Sequence, residues 1–512
     1  MTSRLVVRAG HLFTDFGGDD PAPRADAAVL IEHGVVSAIG PAEDLIAANP
    51  DVRVIGDRHH VMIPGLINAH SHGRGIDGFR LGVADDWLEA WIPDYMALPP
   101  LDPYLDTLLA DLMALRAGVT TVIHSAYPRA TLPAEESHRR ALRAHLDAGV
   151  RVAYAPNVQD RYELVYRDTE GFLRELDSDA AGEVKAVLAT DGEDPVSGYA
   201  AMMARLAADT VGHDRVRLLA GPEGPEWCSE ALLTVCGAVM RDLDIGLHTH
   251  LLESPIQYAF AAQNFENGAV AYLDGFGLLG PRSSFAHGTW LDGEDRARCA
   301  GTGTSVVHNP SSNLRLRNGV APVAAMLEEG VPLALGMDST TLDSDEDMWR
   351  EIRLAHLLHG QPRPEPWAPR PSPADILRAA TTGGGAASTF TVPLGRLVEG
   401  GPADLVLVDW ASVSDPLMVP AAPTAATLVQ FTSARHVDTV VVDGTVRLSD
   451  GKPVGHDPAA IAAELRGLAS NPPPDVARRA RAMARINDAV RRDFETRFAD
   501  LPTEPFYVPN AR

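Results

Sequence analysis

Short apolar runs alternate with longer helical patterns through the middle of this chain of 512 residues, and this alternation constrains the fold more than any other feature. Strands and helices in alternation are typical of βα units around a parallel sheet. Eight such units predict an α/β protein with a (β/α)8, or TIM, barrel. The predicted barrel strands span residues 61–69, 120–125, 151–158, 215–221, 246–251, 283–289, 304–308 and 332–337.

Two β-rich segments flank the predicted barrel. Short apolar runs punctuated by Gly and Asp occupy the first sixty residues, and similar runs return at 404–409 and 437–442. We expect both segments to form one small discontinuous β-sandwich. The stretch 475–498 is expected to be a charged surface helix whose Arg runs form a solvated face rather than a binding patch. The predicted domains are therefore 1–63 (first part of the sandwich), 64–388 (barrel), 389–456 (second part of the sandwich) and 457–512 (helical tail).

The formal net charge of −25 argues against a nucleic-acid-binding protein, because phosphate contacts need clustered Lys and Arg. No apolar stretch approaches the roughly 18–20 residues of a membrane span, and the first residues lack the apolar core of a secretory signal. Three cysteines, Cys228, Cys236 and Cys299, show no CxxC spacing, which favours a reducing compartment. We expect a cytoplasmic protein with a small-molecule substrate and neither nucleic acid nor membrane as a partner.

Metal-binding side chains follow the predicted barrel strands at their carboxyl ends, where TIM barrels place their active sites. His70 and His72 end the first strand and, because side chains alternate along a strand, they point the same way and can share one ion. His248 and His250 repeat this spacing at the fifth strand, and Glu253 follows. Imidazole ligands with a nearby carboxylate suit a hydrolytic metal site. These residues alone leave open which histidine of the second pair is the ligand.

Three later strands also end in polar residues: His287 after the sixth, His308 and Asn309 after the seventh, and Asp338 after the eighth. A lone histidine at a strand end is more often structural, but recurrence at successive strands favours one shared site. His124, at the end of the second strand, faces the same mouth. It is expected either to contact substrate or to hydrogen-bond another residue of the site.

Taken in order, these motifs resemble the amidohydrolase superfamily, closest to its aminohydrolases with one metal ion. That branch includes methylthioadenosine/S-adenosylhomocysteine deaminase, guanine deaminase and the triazine hydrolases. The resemblance covers nearly the whole chain and rests on residues 64–72, 250–253, 287–288, 308–313, 335–338 and 394–406. It implies one divalent ion, Zn²⁺ or alternatively Fe²⁺, and a homo-oligomer. The implied ligands are His70, His72, His250 and Asp338.

The resemblance also implies catalytic roles. Glu253 would shuttle protons, His287 would orient the water or polarise the substrate, and Asp338 would help to accept the water's proton. His248 would then be a neighbour of the metal site. A subtype of the family uses two ions bridged by a carboxylated lysine of the fourth strand, but the two lysines of this chain, Lys185 and Lys452, lie elsewhere. A single ion is therefore expected.

Substrate contacts are predicted from where the chain departs from its relatives. Family members that act on adenosine-like substrates tend to carry Ala-Pro-His after the fourth strand, whereas this chain has Gly-Pro-Glu ending at Glu223. That carboxylate could meet a cationic or amino-bearing substrate. Arg74, in the loop after the first strand, could bind an anionic substituent. The remaining candidate contacts are His124, His248 and Asn309.

The favoured function is an aminohydrolase that releases ammonia or an amine from a C–N bond of a heterocycle or an amidine-like group. A hydrolase of the same fold that opens a cyclic amide or removes another leaving group is the alternative, because one chemistry serves both. The single-ion pattern favours deamination, since ring-opening relatives more often use two ions. A non-catalytic binding protein is less favoured, because such relatives usually lose metal ligands and this chain keeps them.

Overall fold

The computed structural model describes residues 4–18, 21–98, 101–128, 132–162, 164–188, 194–339, 341–359, 370–419, 421–472 and 474–501. Its strands are β1 Arg4–Leu12, β2 Arg24–Glu32, β3 Val35–Pro41, β4 Arg53–Ile55, β5 His60–Pro64, β6 Leu66–Ser71, β7 Val119–Ala126, β8 Arg151–Val158, β9 Val216–Pro222, β10 Gly246–Leu251, β11 Ser283–His287, β12 Ser305–His308, β13 Leu333–Leu335, β14 Leu405–Asp409, β15 Val437–Val442, β16 Thr445–Ser449 and β17 Lys452–Pro453.

The α-helices are α1 Ala42–Ala48, α2 Leu88–Met96, α3 Pro103–Arg116, α4 Ala134–Ala148, α5 Thr169–Leu173, α6 Ser178–Leu188, α7 Pro195–Asp209, α8 Glu230–Asp242, α9 Pro255–Asn264, α10 Gly268–Asp274, α11 Gly293–Thr302, α12 Pro310–Arg315, α13 Val323–Glu328, α14 Met348–Leu358, α15 Pro373–Arg378, α16 Gly384–Ala387, α17 Trp410–Ser414, α18 Ala425–Phe431, α19 Pro458–Ser470 and α20 Pro474–Arg497. Short 3₁₀ turns span Gly78–Leu81 and Ala434–His436, and a π-helical turn spans Ala379–Gly383. Within the described ranges, none of the helices combines the length and the hydropathy that crossing a membrane requires.

Strands β6 to β13 form one parallel sheet in chain order, and helices cover its outer face. A parallel bridge between Ser71 and Asp338 joins the two ends of this sheet, so that the barrel is nearly closed. Small and branched side chains, among them Ala69, Ile123 and Val307, fill its interior. Because both faces are covered, the strands are continuous apolar runs in the sequence. The predicted barrel is confirmed.

The second sheet combines the two ends of the chain, as predicted. Its order is β17-β16-β15-β14-β5-β1-β2-β3, with β4 beside β1. The N- and C-terminal segments meet where β14 pairs antiparallel with β5, Leu405 opposite Pro64. A buried ion pair of 2.6 Å between Arg151 of β8 and Asp404 ties this sheet to the bottom of the barrel.

The single strand predicted at 61–69 is wrong, because the chain changes sheet in its middle. β5 ends at Pro64 in the terminal sheet, and β6 begins at Leu66 in the barrel. At Gly65, between them, an added Cβ atom would overlap the side chain of Thr120, and the Gly65 amide donates to the Asp404 carbonyl at 3.0 Å. Both halves are apolar and extended, so the sequence pattern does not reveal the break.

Replacing Gly65 with alanine is expected to lower the free energy of unfolding by about 1–3 kcal/mol, because the methyl group has no room in this packed junction. Chemical denaturation of the purified protein measures the change. Gly467→Ala in α19 is the matched control, since an added Cβ there meets open space, and alanine favours a helix over glycine by about 1 kcal/mol. Equal stability of Gly65→Ala and the wild type would contradict the steric argument.

The tail forms the predicted helix and exposes Arg478, Arg481, Arg485 and Arg492, but its opposite face is buried, which the sequence analysis did not predict. α20 buries Met483, Ile486, Val490 and Phe494 in a cluster that also contains residues of α6 and α9. Three of its arginines, Arg485, Arg491 and Arg497, form ion pairs, and Arg491 lies 2.5 Å from Asp86. In the sequence, the many arginines of this segment obscured its apolar positions. These positions recur every three to four residues and therefore share one face of the helix.

Candidate metal centre and active site

Three predicted ligands converge at the carboxyl end of the barrel. His70 and His72 lie at the end of β6 and His250 lies in β10. The ring centroid of His70 is 4.9 Å from that of His72 and 5.0 Å from that of His250. One ligand atom of each residue lies within 4.8 Å of the others, so this group could hold a metal ion.

Asp338, the fourth predicted ligand, lies across the barrel seam from His70. Its carboxylate is 3.1 Å from His72 Nε2 and 3.7 Å from His70 Nε2, and its amide donates to the His70 carbonyl at 2.8 Å. Its φ of 59° is in the left-handed region, which non-glycine residues rarely adopt outside constrained sites. Burial would raise the pKa of Asp338, but hydrogen bonding to His72 and the nearby imidazoles hold that pKa well below its ordinary value.

The Nδ1 atoms of His72 and His250 form hydrogen bonds with backbone carbonyl groups outside the predicted metal site. His72 Nδ1 donates to the Ser125 carbonyl at 2.8 Å, and His250 Nδ1 donates to the Glu223 carbonyl at 3.0 Å. Such contacts fix the orientation of the rings and direct Nε2 toward the centre. His70 Nε2 is buried and has no hydrogen-bond partner among the described residues. Three imidazole nitrogens and one carboxylate, with an orphaned nitrogen among them, fit a divalent ion.

His248 differs from His250 in that both of its ring nitrogens are used. Nε2 lies 2.8 Å from His70 Nδ1, and Nδ1 lies 2.8 Å from Ser284 Oγ. Burial lowers the pKa of His70, His248 and His250, which keeps them in the neutral form that a metal requires. This arrangement supports His250 as the ligand and His248 as the residue that orients His70.

Glu253 and His287 lie next to the predicted ligands. His287 Nε2 is 3.5 Å from Glu253 Oε2 and 3.9 Å from Asp338 Oδ2. Asn318 Nδ2 donates to the other Glu253 oxygen at 2.7 Å. Burial, followed by the charge of Asp338, raises the pKa of Glu253 well above its ordinary value. Burial lowers the pKa of His287 to about 4, and its backbone is left-handed, with a φ of 74°.

Glu223 is buried and held by two donors. The Tyr127 hydroxyl donates to one carboxylate oxygen, and Asn157 Nδ2 donates to the other at 2.8 Å. The Tyr127 ring is exposed in part and lies 5.1 Å from the His72 ring, centroid to centroid. Sequence reasoning missed Tyr127; its only signal was its place directly after β7.

The other candidate contacts lie around this centre. His124 Nδ1 is 2.9 Å from His145 Nε2. Asn309 Nδ2 is 3.3 Å from His287 Nδ1. Arg74 pairs with Asp106 at 3.5 Å and stacks on Tyr95, 5.0 Å from the ring centroid. Direct contact of these residues with substrate stays a prediction.

Comparison with known proteins confirms the resemblance. The model of the Amidohydrolase family matches residues 61–447. The chain is 30% identical over 450 residues to 5-methylthioadenosine/S-adenosylhomocysteine deaminase of Nitratidesulfovibrio vulgaris, covering 86% of this chain and 92% of the relative.

Solved structures show the same fold. An adenosine deaminase from Xanthomonas campestris with bound zinc is 24% identical, with a TM-score of 0.73 over 91% of this chain and 98% of the other. Atrazine chlorohydrolase from Arthrobacter aurescens, complexed with zinc, is 22% identical, with a TM-score of 0.74 over 91% of this chain and 100% of the other.

Proposed function

This chain belongs to the amidohydrolase family, and we propose that it is an aminohydrolase acting on a C–N bond of an amino-substituted heterocycle or amidine-like molecule. The observation that carries the proposal is the position of Glu253. This buried carboxyl lies 3.5 Å from His287, beside the cluster that could hold a metal. A protonated carboxyl there can donate to a ring nitrogen while water attacks the neighbouring carbon.

We assign one divalent ion to the cluster, zinc in the first place and iron(II) as the alternative. When bound, the ion supplies a Lewis acid and lowers the pKa of water toward about 7. A single ion is supported by the positions of the lysines. β9, the fourth barrel strand, contains none, and Lys185 pairs with Glu170 at the surface. The residues that would hold the ion are His70, His72, His250 and Asp338.

The side chains divide the proton transfers between them. Asp338, ionised because its pKa is held low, accepts a proton from the attacking water. Glu253 protonates the ring nitrogen, takes up the proton of the hydroxyl group that the attack leaves on the carbon, and passes it to the departing amine; Asp338 then returns the water's first proton, which restores the Glu253 carboxyl. His287, neutral because burial lowers its pKa to about 4, faces both carboxylates and would orient the attacking water or polarise the substrate. Hydrogen bonds of this kind typically lower a barrier by a few kcal/mol.

Ammonia release tests the proposal. The zinc-loaded protein is incubated with aminopurines, aminopyrimidines, pterins, amino-triazines and guanidino compounds, and ammonia is measured against protein-free blanks. We expect release from at least one of these classes. If none of the compounds releases ammonia although the metal is bound, deamination is contradicted and the cyclic amidase is favoured.

Partners and location are proposed from family resemblance and charge. We propose a homo-oligomer that acts in the cytoplasm on a small molecule. The net charge of −25 supports the absence of a nucleic-acid partner.

A further inference from the structure

Tyr127 lies against the predicted metal ligands, directly after β7. Its ring centroid is 5.1 Å from that of His72. Its hydroxyl group donates to Glu223 Oε1, and the same carboxylate oxygen is 3.4 Å from His250 Nδ1. The side chain is 37% exposed, so a ligand bound over the cluster can reach it.

The charges of the site also act on this hydroxyl group. Burial, followed by the charge of Glu223, raises the pKa of Tyr127 well above its ordinary value, and the charges of Asp338 and Glu253 add to this effect. The hydroxyl group therefore lies on the side of Tyr127 that faces the predicted centre, and it keeps its proton.

The hydrogen of this hydroxyl group is committed to Glu223. The other Glu223 oxygen accepts from Asn157 Nδ2 at 2.8 Å, and Ser125 Oγ donates to Asn157 Oδ1 at 2.9 Å. Glu223 is therefore an acceptor at both oxygens. A tyrosine oxygen whose only hydrogen is engaged can still accept a hydrogen bond but cannot donate one.

A ligand group that meets the Tyr127 oxygen consequently gains a hydrogen bond only if it carries a donor. The hydrogen bond to the Glu223 carboxylate polarises the hydroxyl group and makes its oxygen a stronger acceptor. A ligand acceptor at the same place would put two lone pairs face to face.

The proposed function, on which this inference rests, determines which part of the substrate faces Tyr127. The ring nitrogen and the departing amino group of the attacked carbon both exchange protons with Glu253, which follows β10. Tyr127 follows β7, three strands away around the barrel mouth. The remaining ring neighbour of the attacked carbon is therefore directed away from Glu253 and toward Tyr127.

We propose that Tyr127 is a specificity-determining residue, which accepts a hydrogen bond from an N–H group on this neighbouring ring atom or joined to it. The amino group at carbon 5 of a 4-aminopyrimidine and the five-membered-ring N–H of a fused, purine-like heterocycle have the required position. Glu223 is the positioning residue, because it holds the hydroxyl hydrogen away from the substrate.

Three pyrimidines that differ only at carbon 5 test the inference: 4,5-diaminopyrimidine, 4-amino-5-methylpyrimidine and 4-amino-5-methoxypyrimidine. The amino group donates, the methyl group of similar size does neither, and the methoxy oxygen accepts. Calorimetric titration of the zinc-loaded, full-length Glu253→Gln protein measures binding without turnover. The diamino compound is expected to bind about fivefold more tightly than the methyl compound, and the methoxy compound most weakly, because only the first satisfies the acceptor.

Tyr127→Phe, added to this protein, removes the acceptor and keeps the ring beside His72. The affinities for the diamino and methyl compounds should then agree within about twofold. Tyr104→Phe in α3 is the matched control, because the Tyr104 hydroxyl group also donates to a carboxylate, Asp147 Oδ2, at 3.0 Å, but on the outer side of the barrel. It should leave the preference for the diamino compound unchanged.

Glu223→Gln tests the direction of the hydrogen bond. Asn157 still needs an acceptor, so the glutamine oxygen faces Asn157 and its amide N–H group faces Tyr127. The hydroxyl hydrogen of Tyr127 is then free to point at the ligand. The order of affinities should reverse, with the methoxy compound bound about fivefold more tightly than the diamino compound, which a merely structural role of Glu223 would not produce.

A donor preference that is lost in Tyr127→Phe and reversed in Glu223→Gln would support the inference even if no ammonia were released, which would reject only the deaminase. Equal affinities for the three compounds, binding of none, or a preference that persists in either variant would overturn it. If Tyr127→Phe does not fold, the parent protein and Glu223→Gln decide the question. Ammonia release from the panel would still support the proposed function.

Discussion

Replacing Glu253 with glutamine is expected to lower kcat/KM for ammonia release by about 10²–10⁴-fold, the range that a general acid or base contributes. Glutamine keeps the size and the contact to Asn318 but cannot give a proton to the ring nitrogen. The metal should stay bound, because Glu253 is not among the assigned ligands. Initial rates on the best substrate of the panel and metal content by elemental analysis provide the two measurements.

Glu226→Gln is the matched control for this change. Glu226 is also buried, and burial raises its pKa to about 8, so its carboxyl is mostly neutral near pH 7 and resembles glutamine. We expect a rate close to that of the wild type. A Glu253→Gln protein with nearly normal turnover would remove Glu253 from the mechanism, and one that lost its metal would make Glu253 a ligand.

Replacing His250 with alanine is expected to abolish stable metal binding and, with it, turnover. One imidazole of a proposed four-residue site is lost; its ring stacks on that of His72, with centroids 5.4 Å apart. Metal content after dialysis should fall from about one ion per chain to near zero. Circular dichroism would establish that the variant still folds.

His248→Gln distinguishes this assignment from its alternative. His248 contacts His70 Nδ1 and Ser284 but has no ring nitrogen left for an ion. Its loss should weaken metal affinity by about 10–100-fold, as for other residues that orient a ligand, with full occupancy restored by added zinc. Metal retained by His250→Ala and lost irreversibly from His248→Gln would reverse the two roles.

Much of the fold was predictable because it follows from local patterns. Eight apolar runs that alternate with helical patterns imply a parallel barrel, and in such a barrel the polar residues that follow the strands meet at one mouth. His70 and His72 share a direction through the two-residue repeat of a strand. No local pattern marks Gly65 as the point where the chain changes sheet, because β5 and β6 are both apolar and extended.

Site residues that act through long-range contacts could not be predicted. Asn318 and Glu253 are 65 residues apart in sequence and 2.7 Å apart in space. Tyr127 follows β7 and Glu223 follows β9, and no sequence motif predicts the hydrogen bond between them. The interpretation of His248 and His250 rests likewise on Ser284. Its hydroxyl oxygen contacts His248 Nδ1, and His70 contacts the other ring nitrogen of His248, Nε2.

The sequence by itself determined the barrel and the histidine cluster that could hold a metal, because strand periodicity and residue type act locally and place such side chains at a predictable edge. Tertiary structure alone decided the surroundings of that cluster. It brought the C-terminal helix, more than 200 residues from Glu253 along the chain, against α2, and both helices line one cavity. Such packing arises from the complementary shapes of apolar faces, which the order of residues along one segment does not reveal.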